Sequence, residues 1–449
     1  MKIRNILTFL IVITISFSSF SNAQLIKNEN YQTNINTKVI FNDGWVRDID
    51  GIKNVYVAGS FYEMGFQQGF LLKNETAEVI RALLTYADEN EITYSELLET
   101  WNITKNYIPQ EYIDEMVGLS EGANISFEKI AAANMLFVIK GKSLECSVFA
   151  AWGPATTDGE LIQVKSMDYP FIIKDPETGK TIQENQILMI RNPDDGYIFI
   201  SPSFAGVYGS GGFNEKQIAV DVLISFSDDY SFHGIPYRIR IQMALAKSST
   251  AQEAISIISK NKTMGYNFII TDSNNFEAYI VEQTKNMSYI GTWDSPTESN
   301  RPFWKIDHVI RRTNCFINSS LSKTQRSFYN PKNPLLVLLG DIISFPTWKQ
   351  YKGLSRGIEK IWGNINLSNS MDMLRNLYKG KNDLFLFLFT QLKPFKKISE
   401  KLGFMAGLYQ SVSCPKSGDI LISFATADKK GYENTVCHFN LYDLLELEN

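Results

Sequence analysis

The feature that most constrains this chain is a change of hydrophobic period just before residue 146. From Ser60 to Val138 apolar residues recur at helical spacing, as at Val79, Ile80, Leu83 and Leu84. After Gly141-Lys-Ser-Leu-Glu145 the period drops to two. Short β-like runs then follow at 147–152, 161–167, 187–191, 197–200, 218–225, 266–271, 277–282 and 288–293. Helical spacing interrupts them at 237–247 and 251–259 and resumes from Met371, and strands return at 420–426 and 435–441. Runs of strands and runs of helices, without strict alternation, predict an α+β fold with mainly antiparallel sheets. Cys146 stands on the boundary between the two regimes.

The helical part opens on Ser60-Phe-Tyr-Glu63, the pattern of a capping box, and Gly65 and Gly69 leave one helix face smooth enough for close packing. Further upstream, Met1-Lys-Ile-Arg4 is basic, 6–17 is almost wholly apolar, and Ser21-Asn22-Ala23 offers small residues for cleavage. That layout predicts a secretory signal peptide over 1–23, hence a periplasmic or extracellular protein, lysosome-like if eukaryotic. The apolar run is too short and too interrupted for a transmembrane anchor, and 384–389, a core element or a grip for a lipid chain, is shorter still.

Composition narrows the function classes. Forty-four Lys and Arg against 48 Asp and Glu leave a net charge of −4, with no basic footprint for nucleic acid. The three histidines, His233, His308 and His438, have no metal-binding spacing, so neither a metal nor a cofactor is expected. The four cysteines do not make a disulfide framework, although Cys414 and Cys437 flank a β-like run and could pair.

The chemistry concentrates at Cys146. Pro154-Ala-Thr-Thr-Asp-Gly159 supplies turn residues, and a hairpin centred on Thr157 sets Cys146 opposite Asp168. A turn at Asp158-Gly159 misses that register by about three residues. A carboxylate beside a thiol raises the thiol's pKa, which suits nucleophilic catalysis poorly. The pairing makes sense if Cys146 is a chain terminus. Asp168 then holds the α-ammonium, and that amine, of ordinary pKa about 7.7–8.0, is the base.

These residues carry a resemblance. Glu145-Cys146-Ser-Val-Phe-Ala-Ala-Trp-Gly-Pro-Ala-Thr-Thr-Asp-Gly-Glu-Leu-Ile, ending in Lys165-Ser-Met-Asp-Tyr169, is similar to the nucleophile region of N-terminal-nucleophile hydrolases. It most resembles the acyl-coenzyme A:6-aminopenicillanic acid acyltransferase family, with its phospholipase B-like and acid-ceramidase-like relatives. Gly59-Ser-Phe-Tyr-Glu-Met-Gly65 with Gln67-Gln-Gly69, Gly212-Phe-Asn-Glu-Lys216, Gly265-Tyr-Asn-Phe-Ile269 with Asp272, Thr313-Asn314 and Ser355-Arg356 resemble further blocks in the family's order, over about 45–440.

The resemblance implies a four-layer αββα sandwich made as a precursor that cuts itself at Glu145/Cys146. A helical prosegment or small chain, 24–145, would stay with a catalytic large chain, 146–449, as a two-chain heterodimer. It implies Cys146 as nucleophile, its freed amine as base, Asp168 orienting that amine, and Asn267 donating to the oxyanion. Asn214 would shape the site, and Arg356 would stabilise charge or meet a substrate carboxylate. Lys165 replaces an Arg, keeping the charge but losing the planar fork. In a regular strand residues 165 and 168 face opposite sides, so both contribute only where the strand ends or bulges. Cys315 replaces a His and reads as structural.

Residues alone leave some roles plainer. Asn267, polar within an apolar run, demands a buried partner or a job. Gly209-Ser-Gly-Gly212 lacks the Gly-Lys-Ser/Thr of a phosphate loop and reads as a tight turn feeding a strand. The expected function is a secreted cysteine hydrolase or acyltransferase cleaving linear amides of small N-acyl or lipid substrates through a thioester. Two alternatives stand: a phospholipase B-like acyl-ester hydrolase, and a non-enzymatic binding protein on the same fold.

Overall fold

Sixteen strands in two sheets organise the computed structural model, which describes residues 35–139, 146–170, 173–325, 346–379 and 405–447. The larger sheet has ten strands: β1 (Ile35–Phe41), β2 (Gly44–Ile49), β3 (Ile52–Gly59), β6 (Gln186–Pro193), β7 (Phe199–Phe204), β8 (Gly211–Asn214), β9 (Ile218–Ile224), β10 (Tyr266–Asp272), β11 (Glu277–Gln283) and β12 (Ser288–Gly291), in that spatial order. The smaller has six, ordered β13 (Val309–Arg312), β4 (Cys146–Ala151), β5 (Ile162–Pro170), β14 (Met405–Cys414), β15 (Asp419–Phe424) and β16 (Cys437–Asn440). The pairing of β3 with β6 is parallel, and the other ladders are antiparallel.

Five helices follow β3: α1 (Phe61–Leu71), α2 (Lys73–Glu89), α3 (Tyr94–Thr104), α4 (Gln110–Ala123) and α5 (Phe127–Met135). Ser60 and Glu63 close a capping box at the start of α1. Gly65 and Gly69 let α1 lie on α4, because a Cβ at either would meet the backbone of Glu115 or Leu119; Gly118 and Gly122 do the same against Tyr62 and Phe66. Later come α6 (Tyr237–Lys247), α7 (Ala251–Ser259), α8 (Pro346–Ile361), α9 (Leu367–Lys379) and α10 (Leu441–Glu446).

The layers follow from which residues each strand buries where. Val148 and Ala150 of β4 meet Leu223 of β9 and Ile269 of β10 in a core between the two sheets. Phe149, Ile162 and Val164, on the other face of the same hairpin, pack on Leu354 and Ile358 of α8 and Leu374 and Tyr378 of α9. Helices α6 and α7 cover the outer face of the large sheet along β8–β11. The result is the four-layer αββα order, and the fold is α+β as expected.

Two expectations need correction, and one pairing left open by the sequence is answered. The segment before the cysteine is not helical throughout: it begins with β1–β3, short strands joined by turns at Asn42-Asp43 and Asp50-Gly51, which extend the large sheet. The hairpin register is one residue off, since Cys146 lies opposite Met167 and Ala151 opposite Ile162. Its loop closes early, with Gly153 N–H donating to Gly159 O at 3.0 Å and Gly153 at a φ of 58°. Finally, Cys414 and Cys437 do not pair: all four cysteines are free and buried. The signal peptide, Glu145 and 384–389 lie outside the described residues.

Candidate active site

Cys146 is the first residue of β4, which lies between β13 and β5 in the smaller sheet, and is 6% exposed. Its backbone N–H donates to Asn314 Oδ1 at 2.6 Å. Its side chain shares the inter-sheet face with Val148 and Ala150. Lys165, diagonal to it across the hairpin, occupies that face too, within reach of a long side chain.

Lys165 is buried and fully engaged. Its Nζ donates to Ser210 O at 2.6 Å and Ser210 Oγ at 3.0 Å, and pairs with Asp221 Oδ1 at 3.2 Å. Burial alone would lower its pKa, but its electrostatic interactions with Tyr409, Asp221 and Cys146, together with the Asp221 hydrogen bond, outweigh that and hold it above the ordinary value. The Cys146 thiol is pushed up to about 12, first by burial and then by Asp168, against the lowering influence of Lys165, the Asp168 N–H and Asn314. In this state the thiol is protonated at neutral pH.

Asp168 stands on the other face. Its Oδ1 accepts from Ser166 Oγ at 3.1 Å. Beside it Gln350 Nε2 donates to both Ser147 Oγ and Tyr378 OH at 2.7 Å. The pairing of β5 with β14 slips between Gly407 and Tyr409, opposite Asp168 and Met167. That irregularity, with Cys146 at the very end of its strand, lets Asp168 reach the cysteine from the opposite face: its backbone N–H and its charge both act on the thiol.

The other sequence-predicted residues are placed differently. Asn267 is wholly buried, and its Nδ2 donates to Thr313 O at 3.0 Å and Cys315 O at 2.9 Å. Both its hydrogens therefore hold the loop that carries Asn314. Asn214 caps the end of α6 through Leu245 O and Ser248 O, both at 2.8 Å, and accepts from Ile218 N–H at 2.9 Å. Arg356 is exposed on α8; its neighbour Ser355 turns inward to accept from Arg311 Nε at 2.6 Å. Cys146, Lys165 and Asp168 are thus brought together, Asn267 supports them at one remove, Asn214 is engaged elsewhere, and Arg356 is exposed on α8.

Asn314 is the residue that sequence reasoning left without a role. Its loop is held backbone group by backbone group. Gln325 takes Asn314 O and Phe316 N–H at 2.9 and 2.8 Å, and Glu282 takes Ile317 N–H and Asn318 N–H at 2.9 Å each. Glu282 is in turn paired with Arg312 Nε at 2.8 Å, and Arg312 with Glu298, all fully buried. The signal that could have found Glu282 and Asp221 is the one that singled out Asn267: a polar residue inside an apolar strand. Among the described residues no group of three or more His, Cys, Asp or Glu stands ready for a metal ion, and no helix is long and apolar enough to cross a membrane.

No protein-family model matches the chain. It is similar to protein dcd1B of Dictyostelium discoideum, 22% identical over 241 residues, 47% of this chain and 46% of that protein. Protein dcd1A of the same organism is 26% identical over 306 residues, 59% of this chain and 68% of that protein. An uncharacterized protein of Archaeoglobus fulgidus is 23% identical over 252 residues, 49% and 41% of the two chains. The match spans about half the length of dcd1B. Of solved structures, penicillin V acylase from Agrobacterium tumefaciens gives a TM-score of 0.37 at 12% identity, over 66% of this chain and 86% of that one. A mutant of conjugated bile acid hydrolase from Clostridium perfringens gives 0.36 at 13%, over 66% and 93%. Likeness at that level is too loose to transfer a site or a substrate.

Proposed function

We propose that the chain is a secreted, self-processing cysteine hydrolase that cleaves linear amides of N-acyl substrates, or passes their acyl group to another amine. The observation that supports this reading is the seat of Cys146. It begins an interior strand, Asn314 holds its backbone nitrogen at 2.6 Å, and the charges of Lys165 and Asp168 act on its thiol in opposite directions.

In self-processing, Cys146 Sγ adds to the Glu145 carbonyl, the C–N bond breaks, and the proton of the thiol ends on the freed α-amine. Water then cleaves the resulting thioester, giving the Glu145 carboxylate and a free thiol. In turnover the α-amine takes the thiol proton, the thiolate adds to the substrate carbonyl, and the proton passes to the departing amine. Water, or a second amine, releases the acyl group. Asn314 is poised on the new amine, and Asp168, backed by hydroxyls, meets its charge. Once its bond to Glu145 is cut, Cys146 is also freer to meet water, which removes part of the burial that raises its thiol.

The segment before the cut would stay attached. Strand β3 is paired to β6 in the large sheet, Glu115 pairs with Arg191, Glu78 with Lys180 at 2.9 Å, and Arg81 with Asp175 at 2.6 Å. The test is a panel of fatty-acyl amides, N-acyl amino acids and glycerophospholipid esters, assayed with the intact protein and Cys146→Ala. Turnover of amides that Cys146→Ala abolishes is expected. Faster turnover of the esters would favour the phospholipase B-like alternative, and binding without turnover would favour the non-enzymatic one.

A further inference from the structure

The Gly209-Ser-Gly-Gly212 segment has a use that a tight turn does not account for. Ser210 gives both its carbonyl and its hydroxyl to Lys165. Gly211 lies flat against the Asp221 carboxylate, and a Cβ there would collide with Asp221 Oδ1. Asp221 is itself braced: Gln163 Nε2 donates to its Oδ2 at 2.8 Å, and Thr271 Oγ1 fixes Gln163 through Oε1 at 2.8 Å. Lys165, Gln163, Ser210, Thr271 and Asp221 are all at least nine-tenths buried. An ammonium and a carboxylate have thus been taken out of water between two sheets, at a desolvation cost that an apolar pair would not incur. Residues of β5, β9 and β10, with the Ser210-Gly211 segment, hold one cation on the nucleophile's face.

We propose that Asp221 is a positioning residue that acts through Lys165, keeping its ammonium charged and fixed beside Cys146. This rests on the reading of Cys146 as the nucleophile. Among the described residues, the charged and titratable groups around Cys146 and Lys165 are Asp168 on β5, Tyr409 on β14, Asp221 on β9 and, beyond Ser147, Tyr378 on α9. Glu282 on β11 and Glu298 are taken up by Arg312 on β13. Asp221 is the carboxylate in direct contact with the Lys165 ammonium.

The sign of the effect separates this role from others. Removing a bare negative charge near a thiol eases thiolate formation. Removing the partner that keeps a buried lysine protonated does the reverse, because the cation itself is lost. The experiment is a four-protein cycle of the full chain: wild type, Asp221→Asn, Lys165→Met and the double variant. Its readout is the rate of Cys146 alkylation by iodoacetamide between pH 7 and 9, located by peptide mass, with intact mass ensuring that proteins in the same processing state are compared. Any general loosening speeds both arms alike and cancels in the cycle.

Asp221→Asn is expected to slow alkylation at least threefold more in the presence of Lys165 than in the Lys165→Met background. Equal effects in the two backgrounds, or faster alkylation only where Lys165 is present, would overturn the proposal. If Asp221→Asn does not fold, Gln163→Leu, which removes the brace, is expected to show the same direction with a smaller ratio, and its absence counts equally against. The Cys146→Ala assay keeps the two readings apart. Surviving acyl turnover there removes the nucleophile reading whatever the cycle shows. A null cycle alongside a dead Cys146→Ala removes only the role of Asp221.

Discussion

The two faces of the β4–β5 hairpin are built from different chemistry. Between the sheets, Cys146 shares its side with a charged system, Lys165 and Asp221, and beyond them the Arg312, Glu282 and Glu298 cluster that holds the Asn314 loop. Toward the helices, Asp168 is surrounded by Ser147, Ser166, Gln350 and Tyr378, which are neutral. Paired charges fix a field but tolerate no missing member, since a lone buried charge is far costlier than a lone hydroxyl. Hydroxyl hydrogens rotate to suit their partners. Under the proposed self-cleavage, which would turn the Cys146 nitrogen from amide to ammonium, the hydroxyl-lined face can adjust while the charged face stays preset.

Deletions on the two faces should accordingly differ in size. Arg312→Met leaves Glu282 and Glu298 buried without their cation, and about 3–5 kcal/mol of unfolding free energy is expected to be lost in urea titration. A loss below about 1 kcal/mol would mean that the charged face is as forgiving as the neutral one. Asn314→Ala removes the acceptor on the Cys146 nitrogen while sparing the charges. Self-cleavage and acyl turnover should fall about 10²–10³-fold, the scale of losing one preorganised polar contact at a reacting centre. An unchanged rate would show that the loop serves the fold alone. On the neutral face, Tyr378→Phe deletes one hydroxyl from a shared network, with an expected stability cost of about 0.5–1.5 kcal/mol. A cost equal to that of Arg312→Met would erase the contrast.

The smallest effect lies at the sheet edge, where His438 Nε2 meets Asp419 Oδ1 at 2.9 Å. Partial burial pushes Asp419 up, but hydrogen bonds from His438, Ser417 and Asn440 outweigh it and hold it at about 2; His438 is raised by the same contact with Asp419. The Asp419 contribution is complete above its ordinary value of 3.8 and fades as pH falls toward 2. That of His438 is complete below 6.5 and fades as pH rises through its raised value. His438→Gln should cost a few tenths of a kcal/mol, about 0.2–1 at most for so exposed a pair, and only between about pH 4 and 6.5. An equal cost at pH 8 would point to packing instead of charge.

How far the sequence could be read depended on the range of the interaction. The switch of period at Cys146, the capping box at Ser60 and the glycine pair of α1 are local, and each stands in the structure where the pattern puts it. The register of the hairpin depends on how its loop closes, and a slip of one residue moves a side chain to the other face. That is why Asp168 is met from behind the strand. Strands β1–β3 are stabilised by pairing across to β6, far along the chain, and without a regular alternation of apolar residues they gave little local signal. The exchange between Asn267 and Asn314 has the same origin. Polarity inside an apolar strand marks Asn267 as employed, but only the fold shows that it holds Thr313 and Cys315 and leaves Asn314 to face the cysteine.

The central claim, that Cys146 becomes a chain terminus, is tested most directly by the intact mass and N-terminal sequence of the purified protein. Two chains that elute together, the larger beginning Cys146-Ser-Val-Phe, are predicted, with Cys146→Ala remaining whole. A single uncut chain at neutral and mildly acidic pH would contradict the account, because the Cys146 nitrogen would remain an amide and the nucleophile would have no base.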